Sequence, residues 1–293
     1  MIVMDIQNQI SNCIIEASTA LSQDKLKSLK VAISNEDNDN ARWVLEQVLE
    51  NYNIAFERKL PLCDDTGIPH VIVELGSKRE LTGELINQIH EGIASGLKNL
   101  PGRPMAVKGN DLERISQRAG LYDEPQAMKA APILIDSNND LSTYQREIDE
   151  DTLNIHLLFL GGGPEIRSKT YRVFHKRSDK VVIDTACEWL TESLAKLGCT
   201  PSIPSIGIGR THYEANSLMI KAIAYGSLDK QNKTENYVTQ KLNSTNIGPM
   251  GLGGKTTVLG SFVNIGYQRA SGVRIVSIHP QCFVEPRVSS LKL

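Results

Sequence analysis

Apolar residues recur at helical spacing along the first sixty or so residues. Between positions 5 and 22, the apolar side chains three or four residues apart are Ile6, Ile10, Ile14, Ala17 and Leu21. The segment NARWVLEQVLENYNIAFE repeats this amphipathic pattern. Such spacing places apolar side chains on one face of a helix. The pattern therefore predicts a helical N-terminal region over residues 1–60.

Farther along, short apolar runs alternate with helical patterns. The runs HVIVELG, APILID, NIHLLFLGGG, TTVLGSFVNIGYQ and GVRIVSIHPQC predict strands, whereas ELTGELINQIHEGIASGL and VVIDTACEWLTESLAKLG predict helices. Gly198 follows the second of these helices, where a capping glycine is favoured. The polar residues 226–247 predict an exposed loop and helix. We expect a mixed α/β (α+β) chain in which residues 1–293 form a single unit, with a division into two lobes left open.

Composition and charge narrow the classes of function. The 293 residues are 40% apolar and 23% charged, as in globular proteins with a sizeable core. The net charge of −2 gives no basic excess to favour nucleic acid or an acidic membrane. The start carries Asp5 and no signal-peptide pattern, and no apolar run approaches the roughly 20 residues of a spanning helix. We expect a cytoplasmic protein that binds neither nucleic acid nor membrane.

Five cysteines lie along the chain without the C-x-x-C spacing of a local zinc or redox motif. Cys13 and Cys187 fall in or beside the apolar stripes of predicted helices, where packing is the simpler role. Cys63, Cys199 and Cys282 each fall on a predicted loop at the end of a regular element. Three convergent thiolates suit an iron–sulfur cluster in which one iron lacks a protein ligand and acts as a Lewis acid.

Glycine-rich loops are the second chemical feature. The runs GGG at 161–163, GIG at 207–209 and GPMGLGGKTT at 248–257 let backbone amides approach an anion closely. The last run fails the Walker A spacing at Pro249, and His212 in GIGRTH stands where a dinucleotide fingerprint needs glycine. Tight turns around a packed sheet explain each loop equally well when it is taken alone.

Five segments stand in one order from about residue 40 to the end: ENYNIAFERKLPLCDDTG, LGGGPE, LGCTPSIPSIGIGRTHYEA, GPMGLGGKTTVLG and HPQCFVEPR. Their content and order resemble the alpha subunit of the class I fumarase and L-tartrate dehydratase family. The resemblance implies an oxygen-sensitive hydro-lyase that adds or removes water on a small hydroxy-dicarboxylic acid, such as fumarate/malate or tartrate. It also implies that Cys63, Cys199 and Cys282 hold a 4Fe-4S cluster.

The resemblance suggests roles for residues around the cysteines. Asp65 matches the family's aspartate after the first cysteine and would bond the hydroxyl or water on the open iron. Gly162, through its backbone, and Arg103 match positions that hold a substrate carboxylate, although a solvated surface arginine explains Arg103 equally well. Lys255, in the third glycine-rich loop, is also assigned to substrate binding.

Departures from the family pattern bear on the substrate. Asp64 replaces a glutamine that donates to a substrate carboxylate, and an ionised Asp64 would repel that group. Arg269 stands nearest to a family histidine located about a dozen residues before the third cysteine, so that imidazole is expected to be missing. We assign Asp64 and Arg269 to the catalytic set, with a structural salt bridge as the alternative for Arg269. The basic segment RSKTYRVFHKRS also differs and predicts a solvated charged face.

The resemblance finally implies a partner. In the family, the base and further carboxylate-binding residues come from a beta domain or a separate beta subunit, and this sequence holds no segment resembling that domain. We expect a beta subunit in a heterodimer or a dimer of heterodimers. Two alternatives stay open, namely a cluster-binding paralogue with a regulatory or assembly role, and a lyase or isomerase for a different hydroxy acid.

Overall fold

The computed structural model describes residues 6–137 and 142–293. The helices are α1 (Ile6–Thr19), α2 (Gln23–Asn35), α3 (Asp39–Arg58), α4 (Gly83–Asn99), α5 (Asp111–Ser116), α6 (Gly162–Glu165), α7 (Asp179–Leu197), α8 (His212–Tyr225) and α9 (Lys233–Asn243). The strands are β1 (Ile68–Leu75), β2 (Leu134–Asp136), β3 (Leu153–Leu160), β4 (Lys169–Phe174), β5 (Ser205–Gly209), β6 (Phe262–Ile265), β7 (Val273–His279) and β8 (Arg287–Lys292). Short 3-10 helices lie at Pro125–Ala127, Leu228–Lys230 and Pro249–Gly251.

The described strands form two mixed sheets of four strands each. The first has the order β2-β1-β3-β8, with β1 and β2 parallel and the other pairs antiparallel. The second has the order β4-β7-β5-β6, with β5 and β6 parallel and the other pairs antiparallel. Mixed sheets combined with many helices confirm the predicted mixed α/β class, and α1, α2 and α3 confirm the helical N-terminal region.

Helix α8 lies between the two sheets. Successive side chains of a strand point to opposite faces, so β1 contributes apolar side chains to two cores. Val71 and Val73 pack against α1 and α4 on one face, whereas Ile72 packs against Met219 and Ile223 of α8 on the other. The second sheet packs α8 on one face and α7 on its opposite face. The layers are therefore α1 with α4, the first sheet, α8, the second sheet, and α7 with α9.

The long periodic segments fold as predicted. Helices α3, α4 and α7 and strands β1 and β3 overlap the segments that were assigned to them, and β6 and β7 lie within theirs. Gly198 ends α7 with a φ of 71°, in the left-handed region that glycine favours. Cys13 and Cys187 are both buried among apolar side chains, so their predicted packing role is confirmed. Among the described residues, no helix combines the length and apolarity needed to cross a membrane.

Residues 207–209 form neither the anion-binding loop nor the tight turn that the sequence left open. These residues form most of β5, which is buried along its whole length. A Cβ added to Gly207 would lie 2.0 Å from the Ala215 carbonyl oxygen and 2.5 Å from the Met219 amide nitrogen, both in α8. Gly207 therefore allows α8 to approach the sheet closely, and backbone packing, not anion binding, accounts for the glycine.

Two charged or polar segments also hold more structure than predicted. The basic segment 167–178 contains β4, an edge strand whose side chains are mostly exposed, so the solvated face is right and the strand was missed. The polar stretch 226–247 contains α9 as expected, but Glu235, Val238 and Leu242 are buried.

We predict that Gly207→Ala lowers the free energy of unfolding by about 3 kcal/mol, because backbone atoms of α8 occupy the space of the new methyl group. Gly83→Ala is the matched control, since no atom lies within 4 Å of a Cβ at that helical position. Alanine favours the helix, so this control should change stability by zero to about 1 kcal/mol in the stabilising direction. Urea unfolding measures both variants, and equal stabilities would contradict the packing account.

Candidate functional site

The loop after α3 holds the first cysteine and the two aspartates. It is anchored at Leu62, whose N–H donates to the Ser18 carbonyl at 2.9 Å and whose carbonyl accepts from Asn51 Nδ2 at 2.9 Å. Cys63 follows, half-buried against the core beneath α7. Gly67 closes the turn with a φ of 82°, a conformation that favours glycine.

Sheet pairing brings the site loops together in two pairs. Ile68, the first residue of β1, pairs with Leu160, the last residue of β3, so the turn of Cys63 and the turn of Gly161 leave the first sheet at the same end. In the second sheet, Ser205 pairs with His279 in the same way. Because these residues begin β5 and end β7, the loops that carry Cys199 and Cys282 also meet at one sheet end.

The three predicted cysteine ligands lie around one apolar core. Cys282 is buried within this core, and Cys63 and Cys199 are half-buried against it. The Phe283 N–H donates to the Cys199 carbonyl at 2.8 Å, which holds the second and third cysteine loops side by side. Burial raises the pKa of Cys199, and the nearby Cys63 thiolate raises it further. Burial likewise raises the pKa of Cys282 well above its ordinary value.

Two buried cations lie close to Cys282. Lys25 is 1% exposed, and its Nζ donates to the Glu285 carbonyl. Burial lowers the pKa of Lys25 to about 7, although negative charge at Cys282 and Glu285 acts in the opposite direction. Arg287, 2% exposed, lowers the pKa of the Cys282 thiol. Positive charge at this depth favours thiolates and other anions.

Asp65 lies over the start of α6. Its Oδ2 accepts from the amides of Gly162 at 2.6 Å and Gly163 at 3.3 Å, and its Oδ1 accepts from the Gly67 amide at 3.1 Å. The predicted catalytic aspartate and the predicted substrate-binding glycine are therefore in direct contact. A substrate carboxylate that uses the Gly162 amide would compete with Asp65 for it.

Glu285 connects these parts of the site and is fully buried. Its Oε1 accepts from the Gly161 amide at 2.6 Å, and its Oε2 accepts from the Cys282 amide at 3.0 Å. Arg287 Nη2 lies 3.6 Å from Oε1, and Arg287 Nη1 donates to the Asp65 carbonyl at 2.8 Å. The segment after Cys282 thus contacts both the Gly161 turn and the Asp65 turn.

Some buried polar atoms here make no hydrogen bond within the described part of the chain. They are Nε and Nη2 of Arg287 and Oγ1 of Thr66. Among residues 6–137 and 142–293, no three Cys, His, Asp or Glu side chains are close enough to ligate a single metal ion.

Asp64 and Arg103 form a salt bridge at 3.0 Å, with side chains 76% and 54% exposed. Asp64, which departs from the family pattern, therefore contacts Arg103, the arginine that was predicted to bind a substrate carboxylate. An exposed pair of this kind adds no more than about 1 kcal/mol to stability. Arg103 keeps guanidinium donors beyond the atom that faces Asp64.

Lys255 binds acidic residues that precede α3, and Arg269 lies at the opposite end of β7 from Cys282. Lys255 Nζ pairs with Asp37, and its amide donates to Glu36 Oε2 at 2.8 Å. Arg269 is exposed and precedes β7, whereas Cys282 follows β7, so the length of that strand, about 20 Å, lies between them. The predicted substrate and catalytic roles of these two residues stay predictions.

An imidazole lies beneath the glycine turn. His279 is fully buried, with its Nε2 3.4 Å from Glu165 Oε2 in α6. The Gln281 N–H donates to His279 Nδ1 at 3.2 Å, so the imidazole proton is on Nε2 and faces Glu165. The contact between His279 and Glu165 is the main cause that lowers the pKa of Glu165.

The residues missed from the sequence are Lys25, Glu165, His279, Glu285 and Arg287. Isolated charged residues in a sequence usually indicate surface positions. The one available signal was the position of Glu285 and Arg287 directly after the third cysteine, in HPQCFVEPR.

We predict that the metal-free chain loses stability as pH falls from 7.5 to 5.5. Burial lowers the pKa of His70 below its ordinary 6.5, and the facing groups are Glu165 and His279. Below pH 6.5, His70 therefore binds a proton more readily in the unfolded chain than in the folded chain, and the free energy of unfolding falls. In urea unfolding at both pH values, the free energy of unfolding of His70→Asn should fall less from pH 7.5 to pH 5.5 than that of the unmodified chain. An equal loss in both proteins would contradict the prediction.

Comparisons with known proteins identify the family of the chain. The family model for fumarate hydratase (Fumerase) matches residues 7–290. A protein of Methanocaldococcus jannaschii with the provisional name L(+)-tartrate dehydratase subunit alpha is 30% identical over 301 aligned residues, which cover 99% of each chain. The L(+)-tartrate dehydratase subunit alpha of Escherichia coli K12 is 25% identical over 269 residues, which cover 90% of this chain and 82% of the relative. The chain belongs to the fumarate hydratase (Fumerase) family.

Proposed function

We propose that this chain is the alpha subunit of an iron–sulfur hydro-lyase that adds or removes water on a small hydroxy-dicarboxylic acid. The observation that carries the proposal is the junction of three cysteine loops with Asp65 and the Gly161 turn, through Glu285 and Arg287. Membership of the fumarate hydratase family supports the hydro-lyase class. The names of the relatives favour tartrate as the first substrate to test.

The cysteines fit a 4Fe-4S cluster better than a single metal ion. The ligands of a cluster bind different irons, so they surround it from separate sides and need not converge on one point. Cys63, Cys199 and Cys282 all border one apolar core, which is compatible with ligands that bind separate irons. The buried charges of Lys25 and Arg287 and the unpartnered donors of Arg287 suit an anionic group. When bound, such a cluster supplies a Lewis acid for the departing hydroxyl group.

The chain's own residues supply binding and orientation. Three amides hold the Asp65 carboxylate in one orientation, where it can accept a hydrogen bond from the hydroxyl group that is added or removed. An incoming carboxylate that binds the Gly162 amide would have to displace Asp65 from it. Arg103 offers a second contact for the substrate, beside Asp64.

A beta subunit is the proposed partner. The relatives are named as alpha subunits, which implies a second chain in their enzymes. We propose that the beta subunit supplies the base and further carboxylate-binding groups, in a heterodimer or a dimer of heterodimers. Arg269 lies at the opposite end of β7 from Cys282, so a role in substrate binding would require this partner or a second copy, and Lys255 would have to leave Asp37 to bind substrate.

Asp64 favours a substrate that carries an additional hydroxyl group. A glutamine amide can donate to a carboxylate, whereas an aspartate carboxylate only accepts, so it suits a hydroxyl donor. Tartrate has one hydroxyl group more than malate. The pairing of Asp64 with Arg103 would keep both groups ordered beside such a substrate.

We predict that the anaerobically reconstituted chain binds about four iron and four sulfide ions. The triple variant Cys63→Ser, Cys199→Ser, Cys282→Ser should bind none. The control is the double variant Cys13→Ala, Cys187→Ala, which removes two buried thiols outside the site and should keep the full iron content. Iron and sulfide analysis decides the ligand assignment, and iron retained by the triple variant would sink it.

We predict that the reconstituted chain alone does not turn over tartrate, fumarate or mesaconate, and that co-expression with a beta subunit restores turnover. An anaerobic assay with each acid tests this. Brisk turnover by the isolated chain would refute the need for a partner. A complex that keeps its cluster but acts on none of these acids would favour one of the two alternatives, the regulatory paralogue or a lyase or isomerase for a different hydroxy acid.

We predict that Asp64→Gln in the alpha–beta complex shifts the ratio of kcat/KM for tartrate to kcat/KM for malate by about tenfold toward malate, the size expected for one lost hydrogen bond to a charged group. Lys78→Gln is the control, because Lys78 is an exposed charged residue that pairs with Glu150, outside the site residues. An unchanged ratio in Asp64→Gln would remove Asp64 from the specificity argument.

A further inference from the structure

The segment 282–287 contacts each of the other site loops. The Phe283 amide reaches the Cys199 loop, and the Arg287 side chain reaches the Asp65 turn. Between them, Glu285 reaches the Gly161 turn. Six consecutive residues therefore meet loops from three separate parts of the sequence.

The Glu285 carboxylate has a bridging geometry. One oxygen accepts from the Gly161 amide at 2.6 Å and the other from the Cys282 amide at 3.0 Å. The two amides belong to different loops, 161–163 and 282–287. Each carboxylate oxygen accepts a hydrogen bond from one of the two loops. The carboxylate therefore sets the distance between Cys282 and the Gly161–Gly163 turn, whose amides bind Asp65.

Buried charges make this bridge rigid. Glu285 is fully buried, Arg287 Nη2 lies 3.6 Å from its Oε1, and Lys25 Nζ donates to its backbone carbonyl. A buried carboxylate is stable only when fixed groups donate hydrogen bonds to its oxygens and compensate its charge. The Gly161 and Cys282 amides supply those hydrogen bonds and Arg287 supplies the nearest positive charge, so a shift of either loop would leave the carboxylate less well compensated.

We propose that Glu285 is a positioning residue: it holds the Cys282 loop and the Gly161–Gly163 turn at a fixed separation and thereby aligns a cluster ligand with Asp65. The consequence for the cluster rests on the proposed function. The fixing of the two loops is a property of this chain whether or not it binds iron.

Glu285→Gln is the direct test, because it keeps the shape of the side chain and removes its charge and one acceptor oxygen. Glu235→Gln is the matched control. Glu235 is also buried, and its two oxygens accept from the Val263 amide at 3.1 Å and the Asn232 amide at 2.8 Å. It lies in α9 and contacts none of the site residues named above.

The first readout is amide hydrogen exchange of the full metal-free chain at single-residue resolution. We expect at least one of the Gly161 and Cys282 amides to exchange at least about tenfold faster in Glu285→Gln, and both to keep their rates in Glu235→Gln. Unchanged rates at both amides in Glu285→Gln would overturn the proposal. If Glu285→Gln does not fold, Glu285→Asp decides, since its shorter side chain cannot reach both amides and should release at least one of them.

The second readout is the spectrum of the reconstituted protein. A merely structural carboxylate would change the melting temperature alone, as we expect for Glu235→Gln. A positioning residue should change the iron content and the electron paramagnetic resonance signal of the reduced cluster in Glu285→Gln. A normal signal and iron content in that variant would contradict the alignment role. If the wild-type chain binds no iron, the proposed function fails, and the exchange rates alone decide whether Glu285 fixes the loops.

Discussion

The buried carboxylate of Glu285 is the interaction on which the site's geometry depends. An ionised group without water costs several kcal/mol unless its partners are fixed in place, and removal of one partner leaves that cost uncompensated. The partners of the carboxylate are the Gly161 amide, the Cys282 amide and Arg287 in β8, and Lys25 in α2 donates to the backbone carbonyl of the same residue. Glu285 therefore joins elements that are far apart in sequence, and the Cys282 loop is one of them.

The two sheets explain why these loops can meet at all. The start of β1 lies beside the end of β3, and the start of β5 lies beside the end of β7, so each sheet presents two site loops at one end. Helix α8 joins the sheets face to face, and Gly207 lets it pack closely enough to do so. A hydro-lyase site then needs only polar residues at the loop ends, while the apolar layers hold the frame.

The sequence allowed much of the fold to be predicted, because α3, α7 and β3 have strong periodicity. It did not reveal β5, since glycines packed against a helix resemble a loop, nor β4, since an exposed edge strand lacks an apolar stripe. The three cysteines, Asp65 and Gly162 could be selected from local motifs, but the direct contact between Asp65 and Gly162 was not predicted. Glu285, Arg287 and Lys25 were not, because only tertiary pairing makes burial of a charge tolerable. Arg269 is the opposite case: it is close to Cys282 in sequence, but strand β7 separates the two residues in space.

The central claim is that three thiolates hold a cluster whose fourth iron is free to meet the substrate. Mössbauer spectroscopy of the iron-57-reconstituted alpha–beta complex tests it most directly. The account predicts that about a quarter of the iron signal shifts when the hydroxy-dicarboxylate is added, because only one iron of four lacks a thiolate ligand. Four irons that respond alike, or iron held as isolated ions, would contradict it.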